Sequence, residues 1–587
     1  MYYDLIGYIE HLEARGELIV IDERVDPVLE IAEVTDRIAK SGGGGKALLF
    51  KNTGTLFPVL TNAFGSDKRI ACALGLSTID DLNPEFDALF GRLNVPGLNL
   101  WDKLKILPLL NELAGFFPKI ASIKVPQCRE VVMPSPKLGE LPALKCWPHD
   151  GGRFLTLPLV HTKNPSTGMR NLGMYRVQIF DDTSAAMHWH RHKTGARHFE
   201  EYRKAGKLMP VAVSLGGDPV YTWCATAPLP ENVDEYLLAG FIRKKPVRLV
   251  KCLTQDLEVP EDSDFVIEGY IDPHEAPVSE GPFGDHTGFY SLRDLYPLMH
   301  VTCITYRKGA VFPATVTGIP PQEDSYMAKA AERIFLKPIQ MVVAPEIADI
   351  YLPPEGVAHN IAVVAINKTY PGQAMKVAGA MWGAGQMMFC KAIVVVDSDI
   401  DIRNSNAVVD TVTRYWNPAA DTCFGKGPLD VLDHAARQPG FGGKICIDAT
   451  RKLPEEERAC VAVPFENTYL FCNESSVPTK KAKLTVIFDD EIDVADTETC
   501  VWIAGNNTDV AYDCEIKDNV LIVDARSKWK RKDFSRPWPN IVCMDSATIA
   551  SVDAKWPKLG AGAFLPSPSL RYRHLAANDS AQIENKQ

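Results

Sequence analysis

Two stretches of this chain hold residue types able to do chemistry. The first reads NLGMYRVQIF (Asn171 to Phe180), DDTS, then AAMHWHRH (Ala185 to His192), two alternating segments around a polar turn, which predicts a β-hairpin. Residues two apart in a strand share a face, so Arg176 is expected beside Met174, Gln178 and Phe180, and His188, His190 and His192 are expected to point together. Three imidazoles on one face are open to two readings, a metal site or a polar rim. The second stretch, VIEGYIDPHEAPVSEGPFGDHTGFY (Val266 to Tyr290), runs from a strand into a loop holding Glu275, Glu280, Asp285 and His286 among glycines and prolines. Carboxylates in such a loop are candidates for proton transfer, and a solvated acidic loop is the plainer reading.

The pattern around them predicts the elements that must hold these groups. From about Pro126 to Pro320, β-branched and aromatic runs recur between turn signals: 174–180, 211–215, 247–253, 265–270, 301–306 and 311–317. Many short strands predict a barrel-like β domain. Beyond Glu323, a strand at 361–366, a helix after Pro371, a strand at 392–396 and a helix at about 405–416 predict an α/β domain with a largely parallel sheet. KAIVVVDSDID from Lys391 is echoed by KLTVIFDDEID from Lys483, 92 positions later (483 minus 391), with Asp421 and Asp513 in step. ICIDATRK from Ile445 is echoed by LIVDARSK from Leu521. The fold class is therefore α/β and β multidomain. An N-terminal α+β domain (1–125) precedes a central split β-barrel (126–322), a C-terminal α/β domain (323–455) and a degenerate second copy of it (456–587). The last residues, PSPSLRYRHLAANDSAQIENKQ, read as a flexible polar tail.

Composition excludes several classes. With 46% hydrophobic and 23% charged residues the 587-residue chain is that of a folded multidomain protein rather than a disordered one. A net charge of -11 supplies no footprint for nucleic acid. Fourteen cysteines without a Cys-x-x-Cys disfavour a disulfide framework or zinc ribbon and suit a reducing cytoplasm. The run Gly42-Gly43-Gly44-Gly45-Lys46 fails as a phosphate loop, because Ala47 and an apolar strand follow where Ser or Thr and a helix are required. The apolar segment 103–123 reads as a core or oligomer contact, or as a platform for a membrane surface or greasy ligand.

NLGMYRVQ, WHRHKTGARHFEEY, VSLGGDP, VKCLTQDLEVP, EGYIDP and SEGPFGDHTGFY occur in this order, and in them the chain resembles the UbiD family of reversible decarboxylases from near its start to about Lys452. The likeness is greatest to the quinone-biosynthesis branch, the polyprenyl-hydroxybenzoate decarboxylases. The resemblance implies prenylated flavin mononucleotide in a cleft between a flavin-reductase-like split barrel and the α/β domain. Its phosphate would be anchored by manganese or magnesium on Asn171, His192 and Glu235, with potassium nearby. Cofactor contacts would fall on Met174, Tyr175, Arg176, Trp189, His190, Arg191, Lys193, Thr194 and Pro228, with Lys391 giving a cation to the phosphate. Arg176, Glu280 and Asp285 would be catalytic, Asp at 285 following the quinone branch.

The implied reaction is non-oxidative loss of carbon dioxide from a hydroxybenzoate or naphthoate intermediate of quinone biosynthesis, prenylated or free. The cofactor takes the electrons, and a protonated Glu280 or Asp285 returns a proton. Two acids five residues apart are expected to raise one another's pKa for that task. A small soluble phenolic acid, and an inactive flavin-binding interaction protein, are the alternatives. A flavin prenyltransferase is the implied cofactor supplier, homo-oligomerisation is expected, and membrane contact would be peripheral at most.

Overall fold

The computed structural model describes residues 4–81, 84–88, 111–229, 233–456, 467–477 and 482–584. The chain opens with helix Leu5–Ala14, whose first turn is capped by the Asp4 carboxylate accepting from Gly7 N. A four-stranded sheet follows, in the order Leu18–Ile21, Ala47–Phe50, Val59–Thr61, Phe312–Pro313. The expected strand at 311–317 is thus two residues long and belongs to this sheet, stitching the barrel to the N-terminal domain. The glycine run before Ala47 is a structural turn. Gly44 and Gly45 carbonyls accept from Arg69, and Gly44 O also from Asn62. A Cβ on Gly44 would lie 1.6 Å from Gly65 O.

The central domain is a curled sheet of nine strands in the order Arg153–Leu155, Val177–Ile179, Ser184–Met187, Leu298–Tyr306, Phe265–Ile271, Met209–Leu215, Leu159–Lys163, Arg170–Met174, with Val131–Val132 added to Leu298–Tyr306. The expected hairpin is present, with Ala185 opposite Ile179 and Met187 opposite Val177. The expected single strand from 174 to 180 is split. Arg170–Met174 ends one side of the sheet and Val177–Ile179 lies second from the other, with only Tyr175 and Arg176 between them. Two residues span about 10 Å at most, so the sheet must curl until the end of Arg170–Met174 lies beside the start of Val177–Ile179. Arg176 therefore sits at the seam, instead of on one strand face with Met174 and Gln178.

After helix Glu323–Val342, a five-stranded sheet runs Ile347–Tyr351, Ile361–Ile366, Ala392–Asp397, Phe441–Asp448, Thr422–Pro428, its middle three strands parallel. Helices Gln373–Trp382 and Ser405–Tyr415 fall where periodicity places them. A further sheet runs Asn467–Asn473, Ala482–Phe488, Val520–Asp524, Cys514–Lys517, its first three strands parallel and its last antiparallel.

As far as Glu584, the tail is ordered and packed rather than flexible. Tyr572 is buried beside Trp502, Gln582–Ile583 pairs with Trp538–Pro539, and helix Ser546–Lys555 lies against helix Glu30–Ala39. There the buried Arg37 guanidinium meets Glu33, Asp553 and the Leu565 carbonyl.

Of the apolar segment 103–123, residues 103–110 lie outside the described residues. Leu113 and Phe116 pack on the core, Phe116 edge-on to Phe241, while Phe117 and Ile120 are exposed. Among the described residues, no helix is long and apolar enough to cross a membrane.

Candidate active site

Arg176, at the barrel seam, joins the two carboxylates that lie far from it in the chain. Its Nε and Nη2 donate to Glu280 Oε1 and Oε2 at 2.8 and 2.9 Å, its Nη1 to Asp285 Oδ2 at 2.6 Å, and Nη2 also to Ser291 Oγ at 3.1 Å. Its planar fork matches Glu280 in bidentate fashion, and its carbon lies 4.7 Å from the Phe283 ring centroid. Glu280 is fully buried and Asp285 nearly so. Glu280 closes strand Val278–Glu280, and Asp285 follows strand Phe283–Gly284, so two short hairpins aim both acids at the seam.

Electrostatics here differ from the expectation that the two acids raise one another. Burial does push Glu280 up, but Arg176 and the hydrogen bonds from His188 and Arg176 outweigh it and hold Glu280 at about 2. Asp285 is likewise held well below the carboxylate range, against its burial, by His286 and Arg176. His286 Nδ1 lies 3.0 Å from Asp285 Oδ1. Although burial opposes its charge, that contact raises the imidazole to about 9. A cation between two acids cancels the like-charge repulsion that the loop spacing suggested.

The histidines leave the strand after Met187 and form a chain. Glu280 Oε2 faces His188 Nδ1 at 3.0 Å, and His188 Nε2 faces His190 Nε2 at 2.8 Å. An ionised carboxylate only accepts, so His188 carries its proton on Nδ1, and His190 donates to the free Nε2. Burial lowers the pKa of both rings, His190 to about 3. His192 is the third member, 5.8 Å from the His190 ring and 4.7 Å from Phe389 of the α/β domain. The cleft is completed from that domain by Asp430, held at about 2 against burial by His359 and His190, and by His359, whose ring lies 5.4 Å from His286.

The expected metal ligands are brought together only in part. Asn171 lies on strand Arg170–Met174, and its neighbour Leu172 N donates to Glu235 Oε2 at 2.9 Å, at the start of helix Glu235–Arg243. Burial pushes Glu235 up to about 8. Among the described residues no hydrogen bond or ion pair joins His192 to either.

Met174 N donates to Ala225 O, bringing the segment with Pro228 alongside. Tyr175 and Trp189 pack edge-on at 6.2 Å, their side chains within the core. Lys193 and Thr194 begin helix Thr194–Ala205, Arg191 is exposed, and burial lowers the Lys193 pKa while Asp430 opposes it.

The expectation for Lys391 is corrected. Its Nζ lies 2.6 Å from Asp433 and donates to Gly505 O and Thr508 O. An ammonium has three protons, so none is left for a phosphate.

Sequence reasoning missed the brace behind the acid loop. Trp502 Nε1 donates to Thr287 O at 2.7 Å, its ring packs tilted at 5.3 Å from Phe289, and Val542 N donates to Gly288 O. His434 packs on Phe289 at 4.4 Å. It also missed Asp430, since no local spacing links it to His190. The apolar residues around Trp502 and Trp538 were the only local signal that the C-terminal region packs on something.

Three domain families match the chain: the 3-octaprenyl-4-hydroxybenzoate carboxy-lyase N-terminal domain over residues 9–85, the Rift-related domain over 120–320 and the C-terminal domain over 325–449. An uncharacterized protein of Aquifex aeolicus is 48% identical over 456 residues, covering 78% of this chain and 93% of its own length. One of Archaeoglobus fulgidus is 45% identical over 458 residues, covering 78% and 93%. Among solved structures, the vanillic acid decarboxylase of Sedimentibacter hydroxybenzoicus in closed form is similar at 26% identity and TM-score 0.69, covering 78% of this chain and 94% of its own. The UbiD-class enzyme HmfF from Pelotomaculum thermopropionicum in complex with FMN is similar at 25% identity and TM-score 0.65, covering 79% and 98%. With all three domain families in order around a buried Arg-Glu-Asp cluster, the chain belongs to the UbiD family of carboxy-lyases.

Proposed function

We propose that the protein decarboxylates an aromatic carboxylic acid with prenylated flavin mononucleotide in the cleft between barrel and α/β domain. The observation that carries this reading is the single guanidinium of Arg176 shared by two buried carboxylates. When bound, the cofactor supplies an electrophilic carbon that accepts the electrons left by carbon dioxide.

Arg176 orients the substrate carboxylate. As it does so its grip on Glu280 and Asp285 loosens, and burial, no longer opposed, raises their pKa values. Substrate entry thereby draws a proton onto an acid that is otherwise ionised, and that acid returns it to the ring carbon after carbon dioxide leaves. His190 and His188 lead from the cleft to Glu280 and give its proton a route.

For the flavin phosphate, the Asn171 amide and the buried Glu235 carboxylate fit a hard divalent ion. Glu235 is an acid that burial disfavours in its charged form, and oxygen ligands suit manganese or magnesium. His192 would complete the set from the cleft wall. Lys193 and the start of helix Thr194–Ala205 offer an anion site in an acidic protein. A potassium ion belongs to the same proposal.

The substrate class favoured is a hydroxybenzoate or naphthoate of quinone biosynthesis, supported by the description of the matching domain families and by Asp at 285. Similarity to a vanillic acid decarboxylase supports the second reading, a small soluble phenolic acid. We also read residues 456–587 as a second, degenerate α/β copy followed by a strap, supported by the shared strand order of the two sheets.

The test is co-expression with a flavin prenyltransferase, purification with manganese and potassium, and mass analysis of the released cofactor, followed by turnover on prenylated and free aromatic acids. Cofactor near one per chain and carbon dioxide release support the proposal. Empty protein, both with and without the co-expressed prenyltransferase, would sink it.

A further inference from the structure

Reciprocal contacts between the two α/β units lead further, and they rest on the reading of residues 456–587 as a second copy. Lys391 Nζ donates to Gly505 O and Thr508 O at 2.7 and 2.9 Å. Lys483 Nζ donates to Thr413 O and Trp416 O at 2.5 and 2.6 Å. Lys483, Gly505 and Thr508 each lie 92 positions after Lys391, Thr413 and Trp416. Each unit thus presents the same lysine to the same two carbonyls of the other.

Other contacts follow the same rule. Gly505 backs onto Asn360, with 3.3 Å between its added Cβ and that of Asn360. Thr413, its counterpart, hydrogen bonds Thr468, which precedes the second edge strand's Tyr469 as Asn360 precedes Ile361. The sheet registers support that equivalence: Ile361 pairs with Ala392, and Tyr469 with Leu484. Gly443 N donates to Asp509 Oδ1, and Ala419 N to Asn519 Oδ1, again joining equivalent segments in exchanged roles. Internal contacts match as well. Asn417 N and Asp509 N donate to Asp421 and Asp513, which pair with Lys452 and Lys528. Between the units lies an apolar core in which Val396, Ile402 and Trp416 of the first meet Val510 and Leu521 of the second.

When residue i meets j of a copy and j meets i in return, the interface is isologous, the form taken by a twofold dimer. We infer that the second unit occupies, within one chain, the face through which the first unit would pair with a second copy of itself. The chain carries its own partner, and this self-complementary face is closed to other chains while the second unit is docked.

The test uses full-length protein. Thr413→Cys with Thr468→Cys, and separately Gly505→Cys with Asn360→Cys, place thiols at the two equivalent contacts, where the paired side chains touch. Both pairs should oxidise within a single chain, running at one-chain mass on a non-reducing gel. Disulfides between chains would overturn closure within one molecule. Oxidation of only one pair would instead refute the second-copy reading on which the inference rests.

Val510→Asp then undocks the second unit. Light scattering should show a soluble species whose mass rises to twice the wild-type value with concentration. A folded Val510→Asp protein that keeps the wild-type mass throughout overturns self-pairing while leaving the second copy intact. If that variant does not fold, the two disulfide pairs decide.

Discussion

Glu280→Gln keeps the shape of the side chain and removes its charge, so it isolates what the buried carboxylate does. The difference between the ordinary carboxyl value of 4.5 and the value of about 2 held by Glu280 corresponds to about 3 kcal/mol, at roughly 1.4 kcal/mol for each tenfold change. That agrees with the ~3–5 kcal/mol lost when one partner of a buried pair is removed. The new amide also points a donor at Arg176 Nε in one orientation, or at both Arg176 Nη2 and His188 Nδ1–H in the other, where relief at the imidazole requires both histidines to exchange tautomers. The melting temperature should fall by roughly 6–12 °C if the barrel unfolds as one unit.

The sign of the pH dependence follows from the lowered value. Stability from the charged Glu280 is fully present above pH 4.5 and is lost as pH falls from there toward 2. The gap between wild type and Glu280→Gln should therefore be constant near neutrality and narrow below pH 4.5. With cofactor loaded, kcat should fall about 10²–10⁴-fold, the usual contribution of a positioned general acid. The assay is carbon dioxide release under saturating acid, alongside flavin occupancy from absorbance. Turnover within threefold of wild type at equal occupancy, or a melting temperature unchanged at pH 7, would refute the role given to Glu280.

Four further outcomes are expected. Lys391→Met should cost about 3–5 kcal/mol by leaving buried Asp433 unpaired yet retain the flavin; cofactor loss measured by absorbance, in protein that stays folded, would reinstate Lys391 as a phosphate ligand. Trp502→Ala should lower kcat and destabilise by about 3–5 kcal/mol because the 285–290 loop loses its brace, with Trp502→Phe restoring most of the stability and some of the rate; equal rates for wild type and Trp502→Ala would refute the brace. The raised His286, at about 9, contributes stability that is full below pH 6.5 and lost as pH rises through 9, so His286→Asn should flatten the melting curve's decline across that window. Manganese should raise the melting temperature of the wild type and not of Glu235→Ala, read by differential scanning fluorimetry after chelator treatment.

Local pattern was enough for most elements. Strand Ala47–Phe50 and the alternation from Ile361 to Tyr415 fall where periodicity and turn residues place them, because these signals act within a few residues. The two chemical stretches were legible for the same reason, since Arg176, Glu280 and Asp285 sit in segments whose residue types are costly to bury without partners.

What the tertiary structure decided was who meets whom. The break after Met174 could not be read locally, because it arises from the curl of the whole sheet, and that curl carries Arg176 to acids more than a hundred residues away. The direction of the acids' pKa values depended on that cation, so the loop spacing alone suggested the opposite sign. The partners of Lys391, the brace from Trp502 and the ordered strap over Arg37 are long-range contacts too. Residue types and periodicity thus determined the elements and the two stretches able to do chemistry, whereas charge states, shared ligands and the facing of the two α/β units were decided only by packing.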